Sequence, residues 1–217
     1  YDQLLDKQKE LRDENSSTQL GIGVAAYVEC TAPTGLHVEY GAVEVHEDGT
    51  ATATVGTSAH GQGHLTAFSM IISEILGIEM EKVRLVQSDT EQVPRGAGTM
   101  GSRSLQTAGS AIHVASETVL EKAKDLAAHL LEASADDITV GEGGLHVAGV
   151  PANVVSWADL AQASNDVSKR PEGMEPGLTH ELDFDGADAT FPFGAHVAVV
   201  EVDVETGGVE LIRHIAV

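Results

Sequence analysis

With 217 residues and 42% apolar content the chain is long enough for one large domain or two small ones, and 4% aromatics leaves the core to Val, Ile, Leu and Ala. Its formal net charge of −22, from 34 acidic and 12 basic residues, argues against nucleic acid or an anionic membrane surface as partner, because both select clustered Lys and Arg. A single cysteine, Cys30, excludes an internal disulfide framework, and no apolar run approaches the roughly 18 residues that span a membrane.

The start, YDQLLDKQKELRDEN, is polar and helical in pattern, with Leu4, Leu5 and Leu11 among charges, and carries no secretory signal. A soluble cytoplasmic protein is expected. The chain begins without Met and stops inside a strand-like run, LIRHIAV, so it reads as a piece of something longer. GIGVAAYVEC (21–30) is a small-residue strand, with Cys30 a small, partly buried side chain at its end, and TAPTG (31–35) is a turn. Val43 and Val45 alternate with polar residues, Asp48-Gly49 turns, and ATATV returns, which is a hairpin. A glycine loop, AHGQGH (59–64), follows at once. Leu65, Phe68, Ile72, Ile75 and Leu76 then hold one helical face, closed by Gly77. KVRLVQ (82–87) is a strand.

The second glycine loop spans Pro94 to Ser104. A long helix is predicted from about Leu105 to Glu132, with Ser104 as its N-cap and Ile112, Ala115, Val119, Ala123, Leu126 and Leu130 on its apolar stripe. ITV and LHVAG flank Gly143-Gly144 as a small hairpin. Ser156 caps a short helix, WADLAQA, with Asp159 at the third helical position. LTHELDF, AHVAVVEVDV and VELIRHI are strands, the last two joined at 205–208. This order predicts an α+β fold, mixed sheets with helices packed on one side. It divides into an N-terminal helix and linker (1–20), a loop-bearing core (21–135), and a hairpin, short helix and C-terminal strands (136–217).

The two loops are the chemically informative part. Each runs into a helix, a device that brings backbone N–H groups and a positive helix end to an anion. Gly61 and Gly63 let the main chain approach a ligand, Gln62 offers a carboxamide, and His64 stands at the helix start. The second loop supplies Thr99, Ser102 and Ser104 hydroxyls beside Gly101, with Thr107 one turn on and an Arg103 guanidinium suited to phosphate. Neither loop is a Walker or dinucleotide GxGxxG motif, and an empty strand-to-helix turn is the plain alternative for each. His60 and His64 do not make a metal site on this pattern: glycines break the helical register between them and no third ligand stands at a recognisable offset.

GTSAHGQGHLTAFSMIISEILGI followed by VRLVQSDTEQVPRGAGTMGSRSLQTAGSAI resembles the molybdenum-binding subunit of the xanthine dehydrogenase and aldehyde oxidase family, nearest to large chains of the aerobic carbon monoxide dehydrogenase type. The resemblance extends from GIGVAAYVE (21–29) to the end. It implies a molybdopterin dinucleotide, commonly the cytosine form, with Gly61, Gln62 and Gly63 on the pterin and dithiolene side and His64 among the cofactor-binding residues. Thr99, Gly101, Ser102, Arg103 and Ser104 would surround the phosphates, with Thr107 nearby. Family members hydroxylate a carbon with oxygen from water, a glutamate acting as base, and electrons leave through iron–sulfur clusters to FAD on partner subunits or domains. The expected assembly is a dimer of heterotrimers, and copper enters only in the carbon monoxide branch.

The resemblance places the catalytic glutamate after Val217 and the substrate-side glutamine and copper-loop cysteine before Tyr1, so no catalytic residue or metal ligand is expected within the chain. Glu142, in VGEGG, reads as a turn residue. By themselves the 217 residues are expected to lack hydroxylase activity. A cofactor-binding module without catalysis, or a structural domain with empty loops, are the other classes consistent with the pattern.

Overall fold

The computed structural model describes residues 1–33 and 35–217; Thr34, in the predicted 31–35 turn, lies outside the described residues. In chain order the elements are α1 (Asp2–Asp13), β1 (Thr18–Val28), β2 (Val38–Val45), β3 (Ala51–Val55), α2 (His64–Leu76), β4 (Val83–Val86) and α3 (Ser110–Leu131). There follow β5 (Ile138–Gly141), β6 (Gly144–Val147), β7 (Val154–Ser156), α4 (Trp157–Asn165), β8 (Leu178–Asp185), β9 (Phe193–Asp203) and β10 (Val209–Ala216). The α+β class holds.

Contacts divide the chain into two compact units, Tyr1–Cys30 with Phe191–Val217, and Thr31–Thr190. The sequence junctions at 20/21 and 135/136 fall inside β1 and at the short 3-10 turn Ala135–Asp137. The first unit is a three-stranded antiparallel sheet ordered β1-β9-β10, with a register shift between Leu211 and Arg213 on β10. Gln8 and Gln19 tie α1 to β1: their amides donate to the carbonyls of Leu20 and Leu11. Cys30 is exposed, which corrects the partly buried position expected for it: β1 ends at Val28 and leaves the side chain beyond the sheet.

The second unit is built on a four-stranded mixed sheet ordered β4-β3-β2-β8. β2 and β3 form the predicted hairpin. Asp48 accepts from the Thr50 amide in its turn, and Gly49 adopts φ +80. The chain leaves β3, crosses through α2 and returns as β4, parallel to β3. Alternate residues of the hairpin, Val43, Val45, Ala51, Ala53 and Val55, are buried against the helical stripe of Phe68, Ile72 and Leu76 and that of Ile112, Ala115 and Val119. Each fully buried aliphatic side chain contributes about 1.5–3 kcal/mol. α3 lies so close to β2 that a Cβ on Gly41 would stand 2.5 Å from the Ala111 Cβ. The small sheet β5-β6-β7 and α4 close the far end, where Trp157 is buried and its indole N–H donates to the Leu76 carbonyl at 2.8 Å. Ser156 caps α4 as predicted, accepting from the Asp159 amide. Glu142 lies in the tight turn between β5 and β6.

The helix expected from Leu105 differs in two ways. It begins at Arg103, and Leu105–Gly109 forms a π-turn before the regular α3. The Thr107 hydroxyl donates to the Arg103 carbonyl at 3.0 Å inside this widened turn. Such insertions recur where a helix is shaped around a site. Ser104 is consequently not the N-cap: it already has helical backbone angles, and its hydroxyl donates to Thr99 Oγ1 at 3.3 Å.

Candidate functional site

Both glycine loops belong to the second unit and meet there. Gly56, at the end of β3, and Gly96, in the second loop, touch backbone to backbone. A Cβ on Gly96 would lie 2.3 Å from the Gly56 Cα. Two further ties cross between the loops, for the Ser58 amide donates to Thr99 Oγ1 at 2.7 Å and the Thr99 hydroxyl donates to the Ser58 carbonyl at 2.6 Å. Thr99 thus acts as a clasp. The second loop is held at its far side by the Ala32 amide, which donates to the Gly101 carbonyl at 2.8 Å, and by Pro33, 2.9 Å from where a Gly101 Cβ would be.

The two arginines of this region are engaged by carboxylates. Arg95 donates through Nε to Asp183 at 2.8 Å and lies over the Tyr40 ring, 4.4 Å from its centroid. Arg103 is fully buried. It pairs with the equally buried Glu39 and donates to the carbonyls of Leu36, Val38 and Gly98, so four of its five N–H groups are in use. Glu39 in turn accepts from the Tyr40 and Ala97 amides. This corrects the expected role of Arg103. The guanidinium grips a protein carboxylate and loop carbonyls, and is not presented to a phosphate.

Beside Glu39, Tyr40 is 5% exposed and donates to Glu181 at 2.9 Å. Burial, then the Glu181 hydrogen bond and charge, push its phenol up from 10.0 to about 12. The folded pKa is raised, so this contribution to stability is complete below pH about 10 and is lost as pH rises toward about 12. Of three tyrosines, one is therefore expected to ionise late in an ultraviolet titration, and Tyr40→Phe should remove that late phase.

A cavity of about 570 Å³ opens between the loops. Its polar wall is His60, Gln62, His64, Thr99, Ser102 and Ser104, and Ala67, Phe68 and Leu105 form the apolar wall. The first turns of both helices reach it. Gly61 and Gly63 have φ of +104 and +80, and among the described residues a Cβ on either would meet nothing within 4 Å. Glycine is needed there for backbone angle, and the main chain is left open-faced. None of the lining residues is Lys or Arg. The wall is an array of hydrogen-bond donors and acceptors beside the Phe68 ring.

Of the sequence-predicted residues, Gln62, His64, Thr99, Ser102 and Ser104 converge on this cavity, and Gly61 and Gly63 flank it in the chain. Arg103 and Thr107 stand behind the wall, fully buried. His60 and His64 do not share a helical face, because α2 starts at His64; both ring nitrogens of His64 are hydrogen-bonded, to Gln87 and Gln62. The sequence reading missed Glu39, Gly56, Gly96 and Gln87.

Residues 1–217 match the family described as molybdopterin cofactor-binding domain. The chain is 34% identical to the carbon monoxide dehydrogenase large chain of Hydrogenophaga pseudoflava over 94% of its own length and 26% of that protein. It is 33% identical to the nicotine 6-hydroxylase large subunit of Paenarthrobacter nicotinovorans, over 97% and 27%. The structure superposes on reconstituted CO dehydrogenase from Oligotropha carboxidovorans with a TM-score of 0.85 at 31% identity, covering all of this chain and 28% of the other. The chain therefore spans about a quarter of the length of the relatives it matches. No helix among the described residues is long and apolar enough to cross a membrane. A pair of interlocked glycine loops around a polar cavity, in a chain matched end to end by one family, makes this protein a member of the molybdopterin cofactor-binding domain family, as found in carbon monoxide dehydrogenase large chains.

Proposed function

We propose that the cavity between the two glycine loops holds part of a molybdopterin dinucleotide, in the cytosine form, within the large subunit of a cytoplasmic molybdenum hydroxylase. The observation that carries this reading is the composition of the cavity wall. Open-faced glycines, a carboxamide, the Ser102 and Ser104 hydroxyls and two helix starts bring neutral hydrogen-bonding groups to the cavity at short range. Such a wall fits a pterin edge and a phosphate brought close to helix N-termini, where local dipoles act in a shielded place whatever the net charge.

Gly61, Gln62 and Gly63 are assigned to the pterin side, and Ser102 and Ser104 to the phosphates, with Thr99 and Gly101 shaping that wall. Arg103 and Thr107 are assigned to support: they fix the loop and the π-turn from behind. When bound, the cofactor supplies the redox centre for hydroxylating a carbon; these residues bind and orient it. The proposed partners are the remainder of the molybdenum subunit and iron–sulfur and flavin subunits, in a dimer of heterotrimers.

Isothermal titration of the 217-residue chain with molybdopterin cytosine dinucleotide tests the site. Binding is expected, and Gln62→Ala combined with Ser102→Ala should weaken it by roughly 5- to 150-fold, as two lost hydrogen bonds imply at about 0.5–1.5 kcal/mol each. Binding unchanged in the double variant would move the site elsewhere. Cytidine diphosphate, titrated alone, reports the phosphate half separately from the pterin half.

A further inference from the structure

Behind the cavity wall runs a chain of hydrogen bonds whose direction is set at both ends by backbone amides. At one end the Ala59 N–H donates to Gln87 Oε1 at 3.1 Å. At the other the His60 N–H donates to Gln62 Oε1 at 2.5 Å. A backbone N–H is always a donor, so both carboxamide oxygens are fixed in place. Between them lies the His64 ring, 4% exposed, with Nδ1 3.1 Å from Gln87 Oε1 and Nε2 3.0 Å from Gln62 Nε2. Gln87 Oε1 is an acceptor, so His64 Nδ1 carries the hydrogen. Its Nε2 then accepts from the Gln62 amide. The ring cannot rotate freely, being packed against Phe68 at 5.0 Å between centroids.

One amide hydrogen of Gln62 is thus committed to His64. Among the described residues the other has no protein acceptor, and Gln62 is exposed on the cavity. We propose that Gln87 is a positioning residue for the cavity: by holding His64 in its Nδ1–H tautomer it keeps Gln62 turned with an N–H toward the ligand, so that this part of the site selects a hydrogen-bond acceptor. The ligand half of the proposal rests on the cofactor reading above. Gln87 stands at the end of β4, outside both glycine loops, and acts through His64 without touching the cavity.

The test reads the histidine tautomer directly. In 15N-histidine-labelled 217-residue chain at pH about 8, where ordinary imidazoles are neutral, wild-type His64 should carry its proton on Nδ1. Gln87→Met removes the acceptor and leaves only the Gln62 amide to favour Nδ1–H, so the share of Nε2–H should rise as Gln62 is freed to turn. Gln87→Glu keeps an acceptor for both Ala59 and His64 and should retain Nδ1–H. Gln62→Glu replaces the donor by an acceptor and should protonate Nε2. His46, bonded to Thr52 in the β2–β3 hairpin, serves as the fold control in each variant. If Gln87→Met unfolds the chain, the Gln62→Glu and Gln87→Glu pair decides the outcome.

A wild-type His64 protonated on Nε2 alone, or a tautomer indifferent to both Gln87→Met and Gln62→Glu, overturns the proposal. In the same samples the dissociation constant for molybdopterin cytosine dinucleotide should rise roughly 3–10-fold in Gln87→Met and stay near wild type in Gln87→Glu, as expected for one hydrogen bond. Tautomers that follow in a wild-type chain that binds no dinucleotide sink the cofactor reading and the acceptor assignment, and leave the hold of Gln87 on His64 standing. Equal binding by wild type and Gln87→Met sinks the proposal and leaves the cofactor reading intact.

Discussion

Arg103→Met is expected to cost the second unit about 3–5 kcal/mol of folding stability, the loss typical of a buried ion pair deprived of one partner. The substitution leaves the Glu39 carboxylate in a fully buried place with, among the described residues, the Tyr40 and Ala97 amides as its remaining donors. It also strips donors from the carbonyls of Leu36, Val38 and Gly98. Chemical denaturation measures the loss. Arg103→Lys should fall between, since an ammonium restores the charge and cannot reach three carbonyls and a carboxylate in one plane. The double variant Glu39→Gln with Arg103→Met should be more stable than Arg103→Met alone, because the unpaired charge is gone. A loss below about 1 kcal/mol for Arg103→Met would mean that the pair does not hold the loop.

Gly56→Ala should also be severe, costing about 3 kcal/mol or more, at the upper end of what overpacking produces. Its Cβ would fall 2.1 Å from Glu39 Oε1, 2.4 Å from the Gly96 Cα and 2.9 Å from the Arg95 carbonyl oxygen. Two of those neighbours are backbone and the third belongs to the buried ion pair, so nothing at the contact is a flexible side-chain end. The two loops must separate. Dinucleotide binding should be lost along with stability, whereas Gly61→Ala, with open space but positive φ, should cost only about 1–2 kcal/mol. Denaturation midpoints and titrations of the two alanine variants side by side make the comparison. Equal effects at 56 and 61 would show that backbone angle, not loop contact, is what glycine supplies.

Local signals were legible because their causes are local. Asp48-Gly49 turns the hairpin, Ser156 caps α4, and the i, i+3/i+4 stripes of α2 and α3 face the core, except that Leu65, expected on the α2 stripe, is 53% exposed in the first turn, where the helix end borders the cavity. The glycine loops announced a site by residue type. Pairing across distance was not legible: β2 lies between β3 and β8, and β9 between β1 and β10, joining segments that alternation alone does not match. Arg103 was misassigned for a related reason, since a guanidinium suits carboxylate and phosphate equally. One signal did exist. Glu39 shares strand parity with Val43 and Val45, both buried. An acid on the core face of a strand needs a cation, and a loop arginine was its natural partner. Gln87 gave no such sign, because its role depends on the backbone amide of Ala59, which only the fold brings near.

The commitment of Arg95 and Arg103 to protein carboxylates has a consequence for how ionic strength acts on the site. A phosphate gripped by free arginines loses affinity as added salt screens the attraction. Here, among the described residues, no Lys or Arg lines the cavity, and the surrounding chain carries −22. The long-range field repels an anionic ligand, while the short-range hydrogen bonds that hold it are shielded from mobile ions. Raising salt from low to physiological levels should therefore leave the off-rate nearly constant and speed association, so that apparent affinity for the dinucleotide increases slightly with salt.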